Sequence, residues 1–127
     1  MKLALTALLV RDYDEAIDWY TRALGFRHAR DDDQGAGKRW VVIEDDGGRG
    51  LLLAKARKPE ELAAVGNQHG GRVGFFLEVR KFDAALERLT LAGIHFEEEP
   101  RNEPYGKVAV FRDLYGNRWD LVGPPKE

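Results

Sequence analysis

The side chains able to do chemistry in this chain are few. There is no cysteine, which removes thiolate metal sites, a cysteine nucleophile and disulfides together. Three histidines remain, His28, His69 and His95, and no pair of them has the i, i+2 or i, i+4 spacing that brings two imidazoles to one ion. They read as structural or exposed. Gly35-Ala36-Gly37-Lys38 has no helical pattern after it, so it reads as a loop rather than a phosphate cradle, and there is no serine elbow. Glu97-Glu98-Glu99 reads as a solvated acidic edge in which Glu98 is the member able to face inward. Arg101, after Pro100, has the donor fork for a carboxylate or phosphate, and reads more simply as a solvated arginine. Any chemistry is left to carboxylates, histidines, tyrosines or a bound ion.

The elements that must position these groups are written twice. Val10-Arg11-Asp12-Tyr13-Asp14-Glu15-Ala16-Ile17 is echoed by Val79-Arg80-Lys81-Phe82-Asp83-Ala84-Ala85-Leu86, and Gly25 and Gly93 close the two segments. Each copy opens on an apolar strand, Leu3 to Val10 and Arg72 to Val79. A helix follows in each. In the first, Asp12 and Glu15 have capping-box spacing, and Tyr13, Ala16, Ile17, Tyr20 and Leu24 fall on one face. In the second, Phe82, Ala85, Leu86, Leu89 and Ala92 repeat that stripe. Three short strands complete each copy, expected near 26–30, 39–44 and 50–54, then near 94–97, 107–112 and 117–122. Asp45-Asp46-Gly47-Gly48 and Asp113-Leu114-Tyr115-Gly116 supply the turns. The fold class is therefore α+β, one domain over 1–127 built from two tandem βαβββ modules. The expected bounds are 1–56 and 72–127, with a linker over 57–71 carrying a helical turn at 60–65.

Composition is that of a folded domain, with 43% hydrophobic and 33% charged residues, which excludes disorder. A net charge of -2 gives no electrostatic basis for nucleic acid or an anionic membrane as partner. Met1 to Val10 is apolar but too short to span a bilayer and lacks a small-residue cleavage site, so a cytoplasmic location is expected.

Two stretches carry a family resemblance. Leu8 to Tyr20 together with Leu24-Gly25-Phe26 is similar to the opening of the vicinal oxygen chelate superfamily, the glyoxalase, bleomycin-resistance and dioxygenase group. Phe111-Arg112-Asp113-Leu114-Tyr115-Gly116-Asn117-Arg118-Trp119-Asp120-Leu121 resembles that group's closing hairpin, departing from its commonest form at Leu114 and Tyr115. The resemblance covers Leu3 to Val122. It implies a cleft formed by curled mixed sheets with helices outside, and in metal-dependent members a divalent ion held by four inward side chains. Aligned on these motifs, the four positions fall at Leu5, Leu52, Gly74 and Asp120. Three offer no donor, so no metal and no cofactor is expected.

Asp120 is the remaining polar group of that set. Alternation places Arg118 and Asp120 on the cleft side of the last strand, and Gly74, Phe76 and Glu78 on the cleft side of the strand after the linker. A glycine beside a cleft-facing Phe76 suits a flat apolar ligand, and edge packing is the alternative for Phe76. Trp40 and Tyr105, at the starts of equivalent strands, are placed to stack on a ligand or to fill a dimer interface. Asp120 is read either as a base or ligand anchor, or as a brace neutralised by Arg112 or Arg118. Two functions follow. The first is a metal-free small-molecule-binding protein of the bleomycin-resistance kind, acting as a homodimer, with Leu5, Trp40, Phe76, Glu78, Tyr105 and Arg118 about the ligand. The second is a glyoxalase-like lyase or isomerase, or a dioxygenase-like enzyme, with Asp120 as acid-base or metal-binding group, helped in the acid-base case by Glu78 or Tyr105.

Overall fold

The computed structural model describes residues 1–125. The chain divides into two compact units, Met1–Val65 and Gly66–Glu127. In the first, β1 (Thr6–Val10), α1 (Tyr13–Ala23), β2 (Arg27–Gly35), β3 (Lys38–Glu44) and β4 (Gly50–Lys55) are followed by the short helix α2 (Pro59–Ala64). The second runs β5 (Val73–Glu78), α3 (Phe82–Leu91), β6 (Arg101–Glu103), β7 (Gly106–Arg112) and β8 (Arg118–Gly123). Both βαβββ modules form, with sheet orders β1-β4-β3-β2 and β5-β8-β7-β6. In each, the first strand pairs parallel with the last and the remaining pairings are antiparallel. No helix among the described residues is long and apolar enough to cross a membrane.

The first unit follows its sequence pattern in α1, β3 and β4, whereas β1 begins at Thr6 rather than Leu3 and β2 runs on from Arg27 to Gly35 instead of ending at 30. Asp12 caps α1, its carboxylate accepting from Glu15 N at 2.8 Å, and Gly25 takes φ 73 just past the helix end. The helix buries Tyr13, Ala16, Tyr20 and Ala23. Leu8, Val10, Val41, Ile43 and Leu53 are buried on the sheet. Each such side chain stabilises the fold by about 1.5–3 kcal/mol relative to exposure. The residues between them in β1, β3 and β4 fall on the other face, here called the open face. Ala36 at φ 54 sits between Gly35 and Gly37 in the β2–β3 turn, which confirms the loop reading of that glycine stretch.

The second unit departs from expectation at two places. The strand expected over 94–97 is reduced to a single bridge between Phe96 and Phe111, and the edge strand β6 forms later, at Arg101–Glu103. Glu97 to Pro100, three carboxylates and a proline, suits a ladder poorly, which accounts for the shift. The β5–β8 register also slips between Val73 and Phe75, so Gly74 lies at a bulge. Val73, rather than Gly74, pairs with Arg118. A Cβ on Gly74 would overlap the His69 imidazole, which also packs edge-on to Phe75 at 5.0 Å. The room expected at Gly74 for a flat ligand is therefore filled by His69.

The β7–β8 turn is held by one side chain. The buried Asp113 carboxylate accepts from the backbone nitrogens of Tyr115, Gly116 and Asn117, from Asn117 Nδ2 at 3.0 Å and from Trp119 Nε1 at 3.2 Å. Trp119 in turn stacks between Phe75 at 4.6 Å and Phe111 at 5.9 Å on the helix side of the sheet.

Candidate functional site

The site grows from β8, an interior strand. Trp119, Leu121 and Gly123 face the helix, where Phe82 of α3 lies so close to Gly123 that a side chain there would collide with it. Alternation turns Arg118, Asp120 and Val122 to the open face. The register places Phe76 of β5 on one side of Asp120 and Val110 of β7 on the other. Phe76, Val110, Arg118 and Asp120, with Tyr105 and Arg101, line a cleft of about 550 Å³, a size suited to a small organic molecule. Phe76 and Tyr105 are 65% and 58% exposed, leaving two aromatic faces open at the cleft.

Asp120 lies on the floor of this cleft. It is 4% exposed, and its Oδ1 has no hydrogen-bond partner among the described residues. Burial raises its pKa above the ordinary aspartate value; Arg101 opposes that, Glu98 adds to it and Arg118 opposes it. The carboxyl is closed to solvent but sits beneath an open cleft, so its desolvation is partial.

The brace expected from Arg112 or Arg118 is not made. Arg118 Nε donates to Glu97 Oε2 at 3.1 Å and its Nη1 to Gly71 O at 3.1 Å. Arg112 Nε is 3.4 Å from the same Glu97 oxygen, and its Nη1 donates to Gly116 O. Arg101, half-buried rather than solvated, binds Glu98 and Glu103. Each guanidinium is matched to a glutamate, and Asp120 is left over.

Of the residues singled out in the sequence, Phe76, Glu98, Arg101, Tyr105, Arg118 and Asp120 come together here. Glu78 does not; it is exposed, opposite Val122 at the end of β5, and outside the cleft lining. Leu5 and Trp40 belong to the first unit. Leu5 packs beside Val42, and together they leave no room for a side chain on Gly50. Trp40 is half-buried on β3, on the same face as Val42. Sequence reasoning missed Val110. The hairpin register set by Asp113 and Asn117 was the signal for it, because counting back from that turn puts Val110 opposite Asp120.

The positions that the resemblance implies for a divalent ion do not suit one in either unit: in the first, Leu5 and Leu52 have no lone pair, and in the second, Gly74 is covered by His69, which leaves Asp120. Among the described residues no group of three or more histidine and carboxylate side chains is arranged to hold a metal.

The sequence profile of the Glyoxalase/Bleomycin resistance protein/Dioxygenase superfamily matches residues 2–121. The chain belongs to that superfamily. Solved structures share its fold. UcmS2 superposes with a TM-score of 0.80 at 33% identity, covering 96% of this chain and 97% of its own. TnmS3, an antibiotic binding protein from Streptomyces sp. CB03234, superposes with a TM-score of 0.77 at 28% identity, covering 98% and 96%. An uncharacterized protein of Shewanella frigidimarina (strain NCIMB 400) is 50% identical over 119 residues, 91% of this chain and 88% of its own.

Proposed function

We propose that this superfamily member is a small-molecule-binding protein whose cleft works without a metal. The observation that carries the reading is Asp120, a buried carboxylate with an unpartnered oxygen on the floor of a cleft flanked by exposed aromatic rings. A buried acceptor left unmatched is destabilising by about 1–3 kcal/mol, and a ligand donor would relieve it. Phe76 and Tyr105 supply flat faces for an aromatic body. The similarity to an antibiotic binding protein supports the same class of activity. In this reading the protein acts as a cytoplasmic homodimer, the exposed Phe76 and Tyr105 being suited to cover by ligand or by a second copy. Sedimentation equilibrium and cell fractionation check those two points.

The direct test combines native mass spectrometry of the freshly purified protein with titration of 9-aminoacridine, a planar amine-bearing probe, into the wild type and Asp120→Asn. Expected is a bound small molecule without stoichiometric metal, and an affinity reduced by about tenfold or more in the variant. Equal affinity for both proteins would remove Asp120 from the site.

A second reading is favoured by the raised pKa of Asp120, a shift that suits a general base. In it the chain is a lyase or isomerase and Asp120 takes the proton. Turnover of a cleft ligand, lost by about 100-fold or more in Asp120→Asn with binding kept, would select it.

A further inference from the structure

We propose that Glu97 is a positioning residue for the cleft, holding the Arg118 guanidinium away from Asp120 so that this carboxylate stays free. The meaning of that freedom rests on the ligand-binding reading above, while the geometry stands apart from it. Arg118 and Asp120 are two residues apart on one strand and share its open face. At about 3.3 Å per residue their Cα atoms are separated by roughly 7 Å, well within reach of an arginine side chain. A charge-assisted hydrogen bond between them would satisfy the orphaned oxygen.

That bond does not form because the guanidinium is engaged elsewhere, by Glu97 Oε2 and by Gly71 O. Arg112 and Arg118 stand directly opposite each other across β7 and β8, an arrangement of like charges that is unfavourable unless something lies between them. Glu97 accepts from Arg118 and ion-pairs with Arg112 through the same oxygen. Its own backbone is fixed, with Glu97 N donating to Val110 O at 2.8 Å beside the Phe96–Phe111 bridge. Glu97 is not part of the cleft lining, so it acts on the site through Arg118.

The experiment is a double-mutant cycle on the wild type, Glu97→Gln, Arg118→Gln and the double variant. The readout is the titration midpoint of the Asp120 side-chain carboxyl, followed by carbon-13 NMR, with Arg101 and Glu98 unchanged in all four proteins. Expected is a midpoint lowered by about one pH unit or more in Glu97→Gln, because a released guanidinium pairs with Asp120 and favours its charged form. Adding Glu97→Gln to Arg118→Gln should then change nothing. An unmoved midpoint in Glu97→Gln, or the same shift in both backgrounds, overturns the proposal. Binding of 9-aminoacridine to the same proteins separates the two ideas. A cycle that behaves as expected while the probe binds wild type and Glu97→Gln alike supports the positioning and counts against Asp120 as the ligand anchor.

Discussion

The hairpins β3–β4 and β7–β8 are the same device with one consequential difference. In the first, Asp45 N donates to Arg49 O and the Asp45 carboxylate accepts from Arg49 N, each at 2.9 Å. In the second, Asp113 and Asn117 make the same pair of bonds, again at 2.9 Å. Seven residues beyond each aspartate the chain returns to the open face, at Leu52 opposite Val42 and at Asp120 opposite Val110. A leucine serves the sheet at this position, so the architecture does not require the carboxylate. Within the second hairpin the contrast is sharper still. Asp113 and Asp120 are both buried, yet one is saturated with donors while the other has an oxygen with none. A buried carboxylate that the fold neither needs nor fully satisfies supports the proposal that Asp120 serves a ligand.

The largest expected effect lies on the saturated side of that contrast. Asp113→Ala strips the acceptor from buried donors at Tyr115, Asn117 and Trp119 and should lower stability by about 3–5 kcal/mol in chemical denaturation. A loss under 1 kcal/mol would mean that the turn holds itself. Next comes Leu52→Asp, which writes the second hairpin's floor into the first. Leu52 is half-buried beside Val42, and the new carboxylate should destabilise by about 2 kcal/mol, read by thermal melting. A neutral result would show that both open faces accept a carboxylate equally and would dissolve the comparison.

Asp120→Asn should do the reverse and raise stability at neutral pH by about 1 kcal/mol, because it removes a desolvated charge with which no arginine makes a direct ion pair. A drop in melting temperature would restore the brace that the Arg118 geometry rejects. The smallest effect is the pH dependence. The folded-state pKa of Asp120 is raised, so its stabilising contribution is complete below the ordinary aspartate value of about 3.9 and is lost as pH rises through the folded value. Wild type should therefore lose stability relative to Asp120→Asn as pH climbs from just below 4. Parallel pH profiles for the two proteins would contradict the raised pKa.

Much of this is legible in the sequence itself. The duplicated stripe of Tyr13, Ala16 and Tyr20 and of Phe82 and Leu89 marked both helices, because a core face imposes its period on sequence. Asp12, Gly25 and Gly93 marked their ends. Asp120, Phe76 and Arg118 follow from alternation along strands, which holds where register is regular, and Tyr105 from its place at a strand start, where the structure has the turn before β7. Alternation failed at Gly74, where a bulge breaks the period of two, and at 94–97, where a bridge replaces a strand. The partner of Arg118 could not be read at all. Glu97 lies distant in the sequence, and which of several carboxylates an arginine meets is decided by tertiary placement rather than local pattern.

The knot around Asp113 also bears on how quickly the second unit assembles. All the bonds described at that carboxylate join residues within six positions of one another, so little chain entropy is lost in closing them. The parallel pairing of β5 with β8 joins Val73 to Arg118 and must wait for a long loop to close. Local closure favours the β7–β8 turn as the part of this unit that forms first, so weakening it should slow folding, whereas weakening the β5–β8 seam should speed unfolding, as the two arms of a chevron would read.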